Sequence, residues 1–356
     1  MTMNFARVAA LCLCLISYAA IAATEDAGNE QDLALQTIAF GSCADQEHKQ
    51  PIWSSINAEQ ADLFIFLGDN IYGDTEDMTV MQAKYAQLEA NPGFAELRNT
   101  TPVIATWDDH DFGVNDGGIE YPMKEQSRKL FLDFWKELPN SLRRLRKDGI
   151  YTSYLFGPTG RRVQVILLDL RWNRTPLTRV ATQAEADERI ARKMGPYLPG
   201  IGSDNIFLGE AQWSWLAEQM QQPADIRIIG SSVQVLPEFT GWEAWANFPK
   251  ERERLFSVIG DANGGQTFLI SGDTHWSEFS RVDDKVGYPL WELTSSGLTE
   301  EWKDVSPNRH RVGAAYDEAN YGLIEISWDQ PQPQLTFSIR NVTGQTVLRQ
   351  DIRLQR

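Results

Sequence analysis

Cysteine is nearly absent from this chain. Cys12, Cys14 and Cys43 are the only three, and the first two fall in an N-terminal apolar run. That run has the layout of a cleavable export signal. Arg7 forms a short positive start, Val8 to Ala22 is apolar, and Ala20-Ile21-Ala22 is a small-residue cleavage site. It is too short to span a bilayer with margin, and the polar stretch Thr24-Glu25-Asp26 follows it. No small residue directly precedes Cys12 or Cys14, which argues against a lipid anchor. Arg7 has no second arginine beside it, so a twin-arginine signal is absent. The expectation is a signal peptide over 1–22, a mature domain over 23–356, a periplasmic or secreted location and no stable membrane span. Cys43 is then alone, and no internal disulfide can form.

Positive charge is also in short supply. Against 49 acidic residues stand 33 lysines and arginines, a formal net charge of −16. Loss of the signal would remove one arginine and no acid, giving −17. Such a chain has no broad basic face for nucleic acid. It also repels anionic substrates at long range, so a pocket that handles phosphate needs local cations to invert its field. Histidine is rarer still: His48, His110, His275 and His310. His48 and His310 lack metal-ligating company and read as surface residues. No repeat, low-complexity tract or linker divides the mature chain, so it reads as one domain from about residue 30 onward.

What is present is a series of β-rich apolar runs, each ending in a polar cluster. Thr37–Phe40 precedes Gly41-Ser42-Cys43, and Leu63–Leu67 precedes Gly68-Asp69-Asn70. Pro102–Thr106 precedes Trp107-Asp108-Asp109-His110-Asp111, and Val163–Leu168 precedes Asp169-Leu170-Arg171. Ile226–Ile229 and Thr267–Ile270 lead into Gly230-Ser231-Ser232 and Ser271-Gly272-Asp273-Thr274-His275. Near-continuous apolar runs suit strands buried on both faces. Helical patterns over 48–61, 124–138, 209–221 and 248–260 alternate with them. Leu290–Leu293, Tyr321–Trp328, Gln334–Ile339 and Thr346–Leu354 read as consecutive strands of a second, more antiparallel sheet. The predicted fold is α/β: a four-layer αββα sandwich of two mixed sheets flanked by helices.

In open α/β sheets, ligands gather beyond the carboxyl ends of strands. Asp69, Asp109, Asp273 and His275 bring three carboxylates and an imidazole to three such ends. Crowded carboxylates raise one another's pKa unless cations neutralise them. Two cations sharing Asp69 would do so, since Gly68 lets the backbone turn sharply after its strand. The Asp273-x-His275 spacing places both side chains on one face of an extended segment. Cys43 and Tyr72 are more ambiguous. As ligands they would favour a trivalent or borderline metal; the alternative is plain packing. His110, beside Asp109, reads as an acid that protonates a leaving oxygen, a role worth roughly 10²–10⁴-fold.

These motifs, with Asn115-Asp116, the Gln212-Trp213-Ser214-Trp215-Leu216 helix and Ser295-Ser296-Gly297-Leu298, resemble the alkaline phosphatase D-like (PhoD-like) metallophosphatases over about residues 36–300. The resemblance implies a calcineurin-like fold, hydrolysis of phosphate mono- or diesters, and a dinuclear or multinuclear site of Fe³⁺ with Ca²⁺ or other divalent metals. It implies Cys43, Asp69, Tyr72, Asp109, Asp273 and His275 as metal ligands with Asp69 bridging, His110 as catalytic residue, and Asn115 and Arg171 at metal or substrate. Asp111 stands where larger members more often have Glu, and their N-terminal accessory domain is missing.

The expected reaction is in-line attack on phosphorus by a metal-bound hydroxide. Within that chemistry, a phospholipase C-like phosphodiesterase is an alternative. Trp172, Trp242 and Trp245 would border the pocket and receive a choline-like head group. A different class is an exported metal- or phosphate-binding protein without turnover, which would make His110 dispensable.

Overall fold

The computed structural model describes residues 33–354 except 203, 239 and 331. The expected signal peptide therefore lies outside the described residues. The strands are β1 Thr37–Gly41, β2 Leu63–Leu67, β3 Val103–Thr106, β4 Thr152–Phe156, β5 Val163–Leu167, β6 Thr178–Arg179, β7 Tyr197–Leu198, β8 Ala224–Ser231, β9 Gly264–Ser271, β10 Ser277–Val282, β11 Leu290–Ser295, β12 Arg311–Tyr316, β13 Asn320–Ser327, β14 Gln334–Asn341 and β15 Thr346–Arg353. The helices are α1 Ile52–Glu59, α2 Met78–Glu89, α3 Pro92–Thr100, α4 Asp109–Phe112, α5 Lys124–Phe134, α6 Leu142–Leu145, α7 Gln183–Ala191, α8 Glu210–Gln219 and α9 Pro249–Gly260.

Two mixed sheets carry the fold. One runs β15-β14-β13-β1-β2-β3 and the other β12-β10-β11-β9-β8-β5-β4. Strands β1, β2 and β3 are parallel, as are β5, β8, β9 and β11. Alternation in β2 shows how the layers form. Leu63, Ile65 and Leu67 point between the sheets, where Val165, Ile228 and Ile270 meet them. Phe64 and Phe66 point the other way, onto Trp53 of α1 and Phe94 of α3. Each such buried ring contributes about 1.5–3 kcal/mol of hydrophobic stabilisation. Helices α8 and α9 cover the outer face of the second sheet through Trp213, Leu216, Leu255 and Phe256. Helix, sheet, sheet and helix form the expected four-layer αββα sandwich.

The C-terminal strands do not form a sheet of their own, contrary to the reading of the sequence. β11 pairs parallel to β9 inside the second sheet. β13 pairs antiparallel to β1, and β14 and β15 extend that first sheet. The reason is β1: its free edge needs a partner, and β13 supplies one in a four-residue register from Thr37↔Glu325 to Phe40↔Gly322. This topology brings the carboxyl ends of β1, β2 and β3 opposite those of β8 and β9.

Candidate metal centre and its pocket

The loop after each parallel strand turns at once, and the turning residues are the polar ones. Cys43, Asp69, Asp273 and His275 all have positive φ, between 48° and 73°. Asp74 and Asp116 share that conformation. Such backbone costs free energy for residues with a Cβ and persists where the surroundings impose it, commonly at functional sites. The expected extended Asp273-x-His275 segment is thus corrected. Two left-handed residues, not a shared strand face, bring both side chains to the same pocket. Gly68 precedes Asp69 at φ 103°, and a Cβ there would lie 2.4 Å from Asp108 Cβ. That approach sets β2 against the start of α4.

Asp69 is common to three groups of side chains that could hold a metal ion. One ligand atom from each of Cys43, Asp69 and His275 lies within 4.8 Å of the others, and the same holds for Asp69, Asp108, Asp109 and Asp273. Cys43 Sγ donates to Asp69 Oδ2 at 3.3 Å. Tyr72 Oη is 3.1 Å from His275 Nε2, which adds the phenol to the first cluster. Asp69 Oδ1, Asp109 Oδ1 and Asp108 Oδ2 are buried without a hydrogen-bond partner. An unpartnered buried carboxylate oxygen is costly. Three of them on residues of one such group fit a site built for cations, and thiolate, phenolate, imidazole and carboxylate are ordinary metal donors.

The supporting shell explains motifs whose role the sequence left open. Ser296 Oγ accepts from His275 N–H at 2.8 Å and lies 3.2 Å from Cys43 Sγ. Asp111 caps α4, accepting from Asp108 N–H at 2.6 Å and from Asn70 Nδ2 at 2.5 Å. It ties the Asp69 turn to the Asp109-His110 helix. Asp169 accepts from Trp107 Nε1 and from the backbone of Ile150, Arg171 and Trp172. Gln212 of α8 brackets the Asp169 peptide from both sides.

His110 belongs to the third group, one ring nitrogen lying within 4.8 Å of a carboxylate oxygen of Asp69 and of Asp109. Its Nδ1 donates to Asp74, with both carboxylate oxygens at 2.8 Å. The Tyr72 ring packs 4.3 Å from the imidazole. A pocket of about 350 Å³ opens over these groups, with Asp69, Asp109, His110, Asn115, Asp273 and His275 at its base. Tyr197, Trp242, Trp276 and Trp302 wall it, and Arg179 stands in its lining.

A family model described as "PhoD-like phosphatase" matches residues 38–325. The chain belongs to the PhoD-like phosphatase family. Alkaline phosphatase D of Bacillus subtilis (strain 168) is 23% identical over an alignment of 308 positions that covers 74% of this chain and 48% of that protein. The chain thus spans about half the length of that curated relative. The solved structure of PhoD superposes with a TM-score of 0.65 at 16% identity, covering 92% of this chain and 73% of the other. A dimetal phosphatase from Danio rerio superposes with a TM-score of 0.52 at 14% identity, over 91% of this chain and all of the other. These superpositions establish the shared fold.

Charge in this PhoD-like centre is finely opposed. Burial pushes the Asp69 and Asp273 carboxyls well above the usual range, and neighbouring acids add to it. Burial lifts the Cys43 thiol to about 12 and, against the pull of Arg171, Asp108 to about 7. Asp109 is the exception: burial would raise it, but Arg171 and His110 outweigh that and hold it low. Burial opposes charge on His110, yet Asp109, Asp69 and Asp74 lift it to about 11. His275 goes down to about 4 through burial and the nearby His110.

Three of the expected pocket residues, Arg171, Trp172 and Trp245, do not line it. Arg171 is fully buried behind the pocket wall; its guanidinium meets Asp108 at 2.5 and 2.6 Å and Glu243 at 2.6 Å, with Asp109 at 3.8 Å. Of the three expected pocket tryptophans, only Trp242 lines it. Trp172 stacks on Trp107, and Trp245 packs on Phe207 in the core. His48 is exposed, whereas His310 is half-buried beside Glu238. Sequence reasoning missed Asp74, Glu243, Tyr197 and Trp302. Asp74 had a signal, following Asp69-Asn70-Ile71-Tyr72 by two positions; Glu243 and Trp302 lie in loops and Tyr197 opens the two-residue strand β7, with no apolar run to point at them.

Proposed function

We propose that this chain hydrolyses phosphate esters at a site holding two or more metal ions, with Asp69 shared between them. The observation that carries this reading is the position of Asp69, common to three groups that could hold a metal ion and with a buried, unpartnered oxygen. Cys43, Tyr72 and His275 would hold one ion with Asp69; Asp109 and Asp273 would hold the other. Thiol and phenol donors favour Fe³⁺ in the first position, and the all-carboxylate set favours a hard ion such as Ca²⁺ in the second. Bound metals would supply an activated water and withdraw charge from the phosphoryl oxygens.

The chain's own residues do the rest. Asp74 fixes the His110 tautomer and ring, leaving Nε2 as the nitrogen free to give a proton to the departing oxygen. Asn115 stands in the lining, where its amide can donate to a phosphoryl oxygen. Arg171 serves by holding Asp108 and keeping Asp109 ionised from behind. An export signal over 1–22 and a periplasmic or secreted location complete the reading.

The test is turnover of an aryl phosphate and a bis-aryl phosphate, with elemental analysis, before and after exhaustive chelation. Hydrolysis that survives complete metal removal would sink the proposal. Tight metal binding with no turnover of any ester would instead favour a non-catalytic binding protein. A phospholipase C-like diesterase is the second reading, favoured by the Trp242 and Trp302 wall. A diester-to-monoester turnover ratio far above one, retained on choline head-group substrates, would select it.

A further inference from the structure

One cation in the pocket has no counterpart in the metal chemistry. Among the lining residues, Arg179 of β6 is the one lysine or arginine, against the carboxylates of Asp69, Asp109, Asp116, Glu243 and Asp273. The buried arginines nearby are already committed. Arg171 is held by Asp108 and Glu243, and Arg174 Nε lies 3.0 Å from Glu243. Arg179 forms no ion pair among the described residues. Its guanidinium lies over the Tyr197 ring, 4.8 Å from the centroid, and donates to the phenol oxygen at 3.2 Å.

That placement is fixed relative to the metal ligands. The Tyr197 hydroxyl donates to Asp116 Oδ2, and Asp116 N–H donates to Asp109 Oδ2 at 2.6 Å. The two-residue antiparallel pairing of β6 with β7 is itself tied down: Tyr197 N–H donates to Gly241 O at 2.8 Å, and Arg189 grips Gly195 O and Tyr197 O. So Arg179 stands at a set reach from Asp109, on an exposed strand, with donors free for a ligand. Trp242 and Trp302, edge to face at 5.6 Å, offer an apolar wall in the same pocket.

We propose that Arg179 is a specificity-determining residue that reads a second anionic group, a carboxylate or a phosphate, on the organic part of the substrate. This rests on the reading of the pocket as a phosphate-ester site. A guanidinium suits either anion through paired donors. In a chain of net charge −16, one such cation is the means by which a doubly anionic ester gains over a singly anionic one of equal shape.

The test measures binding, so it does not depend on turnover. Calorimetry on the metal-loaded protein compares phenylphosphonate with its 4-carboxy and 4-phosphono derivatives, which are not esters. Wild type should bind both derivatives about three- to fivefold tighter than the parent, as a partly exposed ion pair allows. In Arg179→Gln that ratio should fall to about one, in Arg179→Lys to an intermediate value, and added salt should shrink it in wild type. Preference for only one derivative identifies which anion is read. Equal affinities in wild type, a ratio unchanged in Arg179→Gln, or binding of none of the three overturns the proposal. Ester hydrolysis scored on the same preparation tests the phosphoesterase reading separately, since selectivity at Arg179 without hydrolysis would defeat only that reading.

Discussion

His110 is held by one ring nitrogen and left open at the other, and this asymmetry makes its role testable. Asp74 takes Nδ1 from both carboxylate oxygens and also accepts Asn115 N–H at 3.0 Å, so its own position is braced. His110→Ala should lower kcat by about 10²–10⁴-fold while metal content stays at the wild-type level. Asp74→Asn should lower kcat less and change the pH profile in a defined direction. Asp74 helps hold the His110 pKa up, so its neutralisation lowers that pKa and the proton is lost at lower pH. The alkaline limb of the rate profile should therefore move to lower pH. A variant that loses rate with its alkaline limb unmoved would assign Asp74 to structure alone.

At the level of elements, the turn after β2 does most to set the centre. Gly68 is needed twice there, for its φ of 103° and for the 2.4 Å gap to Asp108 Cβ. Gly160 has a φ of 88° with nothing near a Cβ, so it isolates the backbone contribution. Gly160→Ala should cost about 1 kcal/mol in denaturant unfolding. Gly68→Ala should cost more than that and should also lose bound metal, because Asp69 and Asp108 must separate. Equal losses for the two would show that the close approach is slack.

The same elements show what the sequence could reveal. Strands β1, β2, β3, β5, β8 and β9 were legible because both their faces are buried, and the polar cluster after each marks its end. Strand β10 was not, because Ser277, Glu278, Ser280 and Arg281 disguise it. Its buried Glu278 is satisfied by Arg311, Gln234 and Asn308, partners no local pattern discloses. The candidate ligand residues were legible by position at strand ends, but the left-handed backbone at Asp273 and His275 was not, since nothing in Asp-x-His separates a strand from a turn. Arg171 was recognised and misplaced: its motif shows that an arginine is required, and only the structure shows Asp108 and Glu243 consuming it.

Across the whole molecule, the centre lies on the seam between the two sheets. Cys43, Asp69 and Asp109 follow strands of the first sheet, while Asp273 and His275 follow β9 of the second. Cations bound among them would join the halves of the sandwich, so loss of metal should act on global stability and not only on rate. Without metal, Asp69 and Asp273 have raised pKa values in the folded state, and Asp108 is lifted to about 7. A carboxyl with a raised folded pKa stabilises fully below its unfolded value and loses that contribution as pH rises through the folded one. The metal-free protein should therefore lose stability as pH climbs from about 4 past 7. Metal must displace those protons, so affinity for it should rise over the same window. At 1,000 times the dissociation constant, bound metal adds about 4 kcal/mol. Asp69→Asn separates the two effects. It removes a buried carboxyl that is costly to ionise in the metal-free fold, and it removes the shared candidate ligand. By thermal unfolding at pH 8, metal-free Asp69→Asn should melt at or above metal-free wild type, and with metal added the order should reverse. If wild type melts higher in both conditions, Asp69 stabilises the fold by its own hydrogen bonds and the seam does not depend on a shared ion.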